Sequence, residues 1–154
     1  MNKNIFGEPL ITCSIKPLTG YLRNGCCDTD NTDAGMHTIC IIVNTDFLLF
    51  SKTVGNDLTT PLPKYGFDGL KDGDKWCLCA LRWKEALINN VAPKVVLEAT
   101  NEKTLNVIDR EDLIDVTLLL KTNKDTKFRQ LIDITAVDYP ENSQRFKIVY
   151  LFLS

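Results

Sequence analysis

Gly73-Asp74-Lys75-Trp76-Cys77-Leu78-Cys79-Ala80-Leu81-Arg82-Trp83-Lys84-Glu85-Ala86-Leu87 contains both tryptophans and two of the six cysteines of the chain. Gly73 and Asp74 belong to a turn, and Trp76 to Ala80 then reads as a strand that places Cys77 and Cys79 on one face. From Leu81 to Asn90 the spacing changes to that of a helix. Ala80, Trp83 and Leu87 recur at intervals of three and four and form an apolar stripe for the core. Asn89-Asn90 and Pro93 stop the helix. A strand running straight into a helix predicts an α+β fold.

Working outward, Thr38-Ile-Cys-Ile-Ile-Val-Asn-Thr-Asp-Phe-Leu-Leu-Phe50 is rich in β-branched and aromatic residues. It reads as one long or two short strands buried on both faces. Pro61 and Pro63 make Gly55–Pro63 a loop. Residues 3–27 alternate short apolar runs with breakers and predict short strands and irregular structure. Asp28, Asp30 and Asp33 lie in a polar run that lacks the EF-hand pattern, so a solvated turn is expected rather than a calcium loop.

Downstream, Val95–Ala99 is a further strand candidate. Composition changes after about Asn106. Asp109-Arg-Glu-Asp112 opens a helix with acids in its first turn, where the helix dipole favours them, and Leu113, Val116, Leu119 and Leu120 supply its buried face. Phe128–Asp138 and Arg145–Leu153 then read as two strands of a hairpin. The division is a mainly β first domain with one helix, residues 1–106, followed by a helix and hairpin appendage, residues 107–154.

With 154 residues, 44% of them hydrophobic and 25% charged, the chain has enough apolar material for a compact domain. The net charge of −2 is evenly spread, with 11 basic and 12 acidic side chains in residues 1–108 and 7 and 8 beyond. That balance argues against electrostatic nucleic-acid binding. Apolar runs such as Ile39–Val43 fall far short of the roughly 20 residues that cross a bilayer. The first residues carry no signal-peptide core or Arg-rich presequence, so a cytoplasmic location is expected, or a mitochondrial matrix one for an organelle-encoded chain. In a reducing compartment the six cysteines are expected as free thiols or ligands rather than as a disulfide framework.

Two stretches resemble known families. Residues 4–108 carry Cys13-Ser14-x-x-Pro17-x-Thr19-Gly20, Arg23-x-Gly25-x-Cys27, Gly35-x-His37-Thr38-x-Cys40, Phe47-Leu48-x-Phe50-Ser51, Gly55-Asn56-Asp57-Leu58-x-Thr60-Pro61, Gly73-Asp74-x-Trp76-Cys77-Leu78-Cys79-Ala80-x-Arg82-Trp83 and Ala92-Pro93-x-Val95-x-Leu97-x-Ala99-Thr100. This set resembles the uncharacterised bacterial family numbered 2237 among domains of unknown function, which implies a domain but no reaction. Asn101 stands where that pattern has His, which weakens any two-histidine site.

Residues 109–154, with Phe128-Arg-Gln-Leu-Ile-Asp-Ile-Thr-Ala-Val-Asp-Tyr-Pro-Glu141 and Arg145-Phe-x-x-Val149-Tyr150, resemble the start of the thirty-kilodalton subunit of respiratory complex I (NADH-quinone oxidoreductase). That subunit is a scaffold without a redox centre. The resemblance implies other peripheral-arm subunits as partners and a peripheral position at the inner face of a respiratory membrane. It singles out Asp133, Asp138, Tyr139, Pro140, Glu141, Arg145, Phe146 and Tyr150 as partner-binding residues. Phe146, Ile148, Tyr150 and Phe152 share one strand face while Val149, Leu151 and Leu153 share the other, so both faces need cover from the first domain or from a strand-donating partner.

The chemistry-bearing residues leave alternatives open. Cys13, Cys27, Cys40, Cys77, Cys79 and His37 have the atoms for a zinc site, although the C-x-x-C pairs of a zinc ribbon are absent. Buried cysteine is also an ordinary core residue. A reactive thiol at Cys77 or Cys79 has His37 as its one imidazole base. Asp57 is a candidate general base, but beside Gly55 it equally suits a turn that ties up backbone amides. Arg82 has Glu85 as a local partner three residues on. No nucleotide or phosphate motif calls for a cofactor. The functional expectations are therefore three: a structural or interaction protein linked to complex I, a small thiol or metal enzyme, or a gene fusion whose tail has no role.

Overall fold

Cys40 and Cys77 face each other across the middle of a small sheet, and the fold is arranged about that pair. The computed structural model describes residues 2–118. Strand β1 (Ile39–Ile42) lies at the centre, with β2 (Lys75–Leu78) on one edge and β3 (Lys94–Val95) on the other, both antiparallel to it. Ile39 opposes Leu78, Cys40 opposes Cys77 and Ile41 opposes Val95. Ile39, Cys40 and Ile41 are all buried, as the β-branched run predicts for a strand covered on both faces.

Residues 47–50, expected as strand, are instead helical. Helix α1 (Thr45–Thr53) follows β1 after a two-residue break. Asn44 decides the matter: its side chain accepts a hydrogen bond from the Phe47 amide at 2.8 Å, which caps the helix, and Asp46 places a negative charge in the first turn. Phe47 and Leu48 are buried while Leu49 is exposed, so the apolar run is spread around a helix rather than across a pleat.

Helix α2 (Ala80–Ile88) lies where the three- and four-residue spacing places it. Ala80, Trp83 and Ala86 are its buried residues, with Leu87 only half-buried. The Trp83 ring is fully enclosed, and its Nε1–H donates to the Pro93 carbonyl at 3.1 Å, so its one polar atom is satisfied. The predicted Arg82–Glu85 pair forms at 3.0 Å. Val95 closes β3, after which Leu97–Ala99 and Glu102–Asn106 are short 3₁₀ turns rather than a longer strand.

Helix α3 (Arg110–Leu118) opens with Glu111 and Asp112 in its first turn. Leu113, Ile114 and Thr117 are buried, and the Thr117 hydroxyl lies 3.3 Å from the Val95 carbonyl. The compact unit extends to Thr117, so most of this helix packs within it although the change in composition comes earlier. The assembly of three strands and three helices is an α+β fold. Among the described residues no helix is long and apolar enough to cross a membrane. The hairpin expected at residues 128–153 lies outside them.

Candidate functional site

The loop between Cys13 and Cys27 folds back on itself and is fastened to the sheet. Both the Cys13 and Ser14 amides donate to the Gly25 carbonyl, at 2.8 and 3.1 Å. Gly20 allows the close approach: its φ is +94°, and a Cβ there would collide with the Cys26 carbonyl. Thr19, buried beside it, accepts the Cys77 amide hydrogen through its hydroxyl at 2.8 Å. The loop thereby brings Cys13 and Cys27 onto the Cys40–Cys77 pair of β1 and β2.

The four cysteines form two disulfides, Cys13–Cys40 and Cys27–Cys77, with Cα separations of 5.7 and 5.2 Å. This overturns the expectation of free thiols or ligands at four of the six cysteines. The reason is convergence, since four separate segments deliver sulfur atoms to one buried point, where Ala99 and Val96 complete the packing. Cys77 in this state is neither a free nucleophile nor a free ligand. Cys26 and Cys79 remain as thiols, both half-buried.

Cys79 does not share a face with Cys77, because the strand ends at Leu78 and Cys79 is already the N-cap of α2. Its thiol instead points at the 33–37 loop and donates to the Gly35 carbonyl at 2.6 Å. Gly35 in turn lies under the His37 ring, where a Cβ would come within 2.8 Å of Cε1. His37 Nδ1 is 2.6 Å from Asp33 Oδ1, and the His37 amide donates to Asp33 Oδ2 at 2.8 Å. The Tyr21 ring stacks on the imidazole with centroids 5.9 Å apart. Sequence reasoning named Cys79 and His37, placed Asp33 in a solvated turn although its side chain is buried, and missed Tyr21. The Asp33-x-x-x-His37 spacing was a usable signal only had the loop's turn been known.

Burial of the Asp33 side chain works against its charge, but hydrogen bonds from the His37 ring, the His37 amide and the Thr29 hydroxyl outweigh it and hold the carboxyl below its ordinary value. An ionised Asp33 fixes the imidazole proton on Nδ1 and leaves Nε2 as the outward nitrogen. The half-exposed thiol, imidazole and buried carboxylate thus stand in sequence around Gly35.

Asp57 plays a local part. Its Oδ1 accepts the amides of Thr59 and Thr60 and the Thr59 hydroxyl, its Oδ2 accepts the Thr60 hydroxyl at 2.6 Å, and Lys52 lies 3.2 Å away. Those donors, the Thr60 hydroxyl foremost, hold it far below the usual carboxylate range, which makes it a poor proton acceptor near neutrality. Asp28 and Asp30 are likewise engaged by neighbouring side chains, Asp28 by Asn2 and Asn24 and Asp30 by Thr32. Asn101 caps a 3₁₀ turn through the Lys103 amide and donates to the Cys27 carbonyl at 3.2 Å, a structural post behind the cysteine cluster. An open depression of about 590 Å³ runs along α2 from Cys79 to Asn89, flanked by Leu81 and Ile88.

These features define a small α+β domain whose core is cross-linked by cysteine. The chain belongs to the family described as an uncharacterized protein conserved in bacteria (DUF2237), whose model matches residues 3–117. Residues 106–154 match a second model, the 30 Kd subunit of respiratory-chain NADH dehydrogenase. The chain is 39% identical over 84 residues to the NADH-quinone oxidoreductase C subunit of Dinoroseobacter shibae, a match covering 53% of this chain and 39% of that protein. It is 47% identical over 51 residues to the corresponding protein of Ruegeria pomeroyi, covering 32% and 26%. It is 35% identical over 72 residues to the mitochondrial NADH dehydrogenase [ubiquinone] iron-sulfur protein 3 of Candida albicans, covering 47% and 20%. The chain spans well under half the length of each of these relatives. The eight residues assigned to partner binding, Asp133 to Tyr150, lie outside the described residues.

Proposed function

We propose that this protein is a structural or interaction protein, in which a cross-linked α+β domain is joined to a segment that docks with other subunits of NADH-quinone oxidoreductase. The observation that carries the reading is the similarity of residues 106–154 to the 30 Kd subunit. It is supported by the carboxylates of the first unit: Asp33 and Asp57 serve a local ring and local turns rather than facing a common cleft. On this reading the protein works peripherally at the inner face of a respiratory membrane. Asp133, Asp138, Tyr139, Pro140, Glu141, Arg145, Phe146 and Tyr150 supply the contact.

The test is native affinity capture of the intact tagged chain from a bacterium that makes the oxidoreductase. Peripheral-arm subunits are expected in the eluate, and a Tyr139→Ala, Arg145→Ala double variant is expected to reduce their recovery at least about tenfold, as loss of interface anchors does. Recovery of the chain without any oxidoreductase subunit would sink the reading.

A second reading is favoured by the Cys79, Gly35, His37 and Asp33 arrangement: a thiol that reacts with small electrophiles, with His37, which lies over Gly35, as the candidate base. If so, His37→Gln slows the alkylation of Cys79 by a small electrophile at a fixed pH, while Cys26 reacts as before. An unchanged rate at Cys79 would remove the second reading.

A further inference from the structure

Cys13, Cys27, Cys40 and Cys77 come from four separate segments, and all four are buried. The Sγ atoms of Cys13, Cys27 and Cys77 lie within 4.8 Å of one another although Cys13 is not bonded to either of the other two. Cys40 is bonded to Cys13 and completes the buried set of four. Zinc held by four thiolates has Zn–S bonds of about 2.3 Å, which places the sulfurs about 3.8 Å apart at the corners of a tetrahedron. Cys27 and Cys77 are bonded to each other and so are Cys13 and Cys40, so that spacing is reached only when both bridges have opened; the neighbours Ala99 and Val96 are small or only partly buried against the cluster.

We propose that this cluster is a redox-gated metal site: once its two disulfides are reduced, Cys13, Cys27, Cys40 and Cys77 hold one zinc ion as a tetrathiolate centre. The balance is straightforward. Two molecules of a dithiol reductant each give two electrons and two protons, each becomes a disulfide, and four core thiols result. One Zn²⁺ then displaces four protons and is bound by four thiolates. The metal halves the charge that four thiolates would carry into the core, from −4 to −2. Oxidation by two molecules of an external disulfide, each taking two electrons and, from water, two protons to become two thiols, re-forms both cross-links and expels the ion.

The scaffold for this exchange is present in the backbone. Cys40 and Cys77 are held opposite each other by the β1–β2 pairing. The amides of Cys40 and Cys77 are anchored to the hydroxyls of Thr100 and Thr19, at 3.2 and 2.8 Å, and Cys13 is anchored to Gly25. None of these bonds depends on the oxidation state of sulfur. The segments that carry the sulfurs are therefore held in place by bonds other than the disulfides themselves.

The experiment uses the full chain with Cys26→Ser and Cys79→Ser, so that only the four core thiols remain. It is reduced under inert gas with a water-soluble phosphine, which takes up oxygen from water and leaves no competing thiol, and is titrated with Zn²⁺ or Co²⁺. The expected result is one ion per reduced chain and none per oxidised chain, sulfur-to-cobalt charge-transfer bands, four thiols shielded from alkylation, and release of the ion when an external disulfide is added. Cys40→Ser in the same background is expected to weaken binding at least about tenfold, since even outer-shell changes cost that much. Circular dichroism runs in parallel: a reduced chain that is unfolded alone and folds on adding Zn²⁺ supports the proposal. A reduced chain that folds without taking up metal overturns it. So does one that stays unfolded with metal present, or one that binds metal while its four thiols remain open to alkylation.

Discussion

Asp33 keeps its charge although its side chain is buried, because the His37 ring, the His37 amide and the Thr29 hydroxyl all donate to it. Its folded-state pKa lies below the value of about 3.9 in an unfolded chain. The unfolded chain therefore binds more protons in the interval between the two values, and stability rises with pH there. The contribution is complete above about pH 5 and is lost as pH falls through the folded-state value. Asp33→Asn is expected to flatten part of the acid limb. In urea titrations from about pH 6 down to about pH 2, the variant should lose less of its midpoint than the parent. Identical acid limbs would show that the dyad is not coupled to folding. Asp30 and Asp57, held low by the hydroxyls of Thr32 and Thr60, keep the remaining slope.

At the level of elements, α1 and α2 show what sequence can and cannot reveal. Helix α2 was legible because Ala80, Trp83 and Leu87 recur at intervals of three and four, a period that a helix satisfies and a strand does not. Helix α1 was not, since Phe47-Leu-Leu-Phe50 is an unbroken apolar run with no period to read. Its identity rests on one capping side chain. Asn44→Ala is therefore expected to destabilise the protein by about 1 kcal/mol, read as a lower denaturation midpoint, while Asn44→Ser or Asn44→Asp retains most of it. The candidate site divides in the same way. Spacing marked Cys77 and Cys79 as neighbours, but the strand-to-helix change at Leu78 separates them by turning the backbone. Which cysteine bonds to which was illegible, because pairing is set by the loop from Cys13 to Cys27 and its fastening through Thr19, contacts remote in sequence.

For the whole molecule, each of the two sulfur bridges spans a long stretch of chain, 27 residues for one and 50 for the other. Bridges of this kind stabilise a domain typically by about 2–4 kcal/mol each, chiefly by restricting the unfolded chain. Paired cysteine also persists in oxidising surroundings and is rare in reducing ones. The stability of the first unit should accordingly depend on redox conditions to a degree that its small sheet would not suggest.

The order of the bridged positions along the chain, 13 with 40 and 27 with 77, means that the two spans overlap. One peptide bond cut anywhere between Cys13 and Cys77 leaves the fragments covalently joined, and a cut between Cys27 and Cys40 is bridged twice. The exposed turn Pro63–Tyr65 offers a protease such a bond after Lys64. After limited trypsin treatment, the fragment that begins at Met1 and the fragment that contains Trp76 should migrate together on a gel without reductant and separate with it. Separation in both lanes would mean that the 27–77 bridge is absent. Where the bridge stands, the protein is a domain that survives nicking, its parts held together by sulfur after the chain itself has been broken.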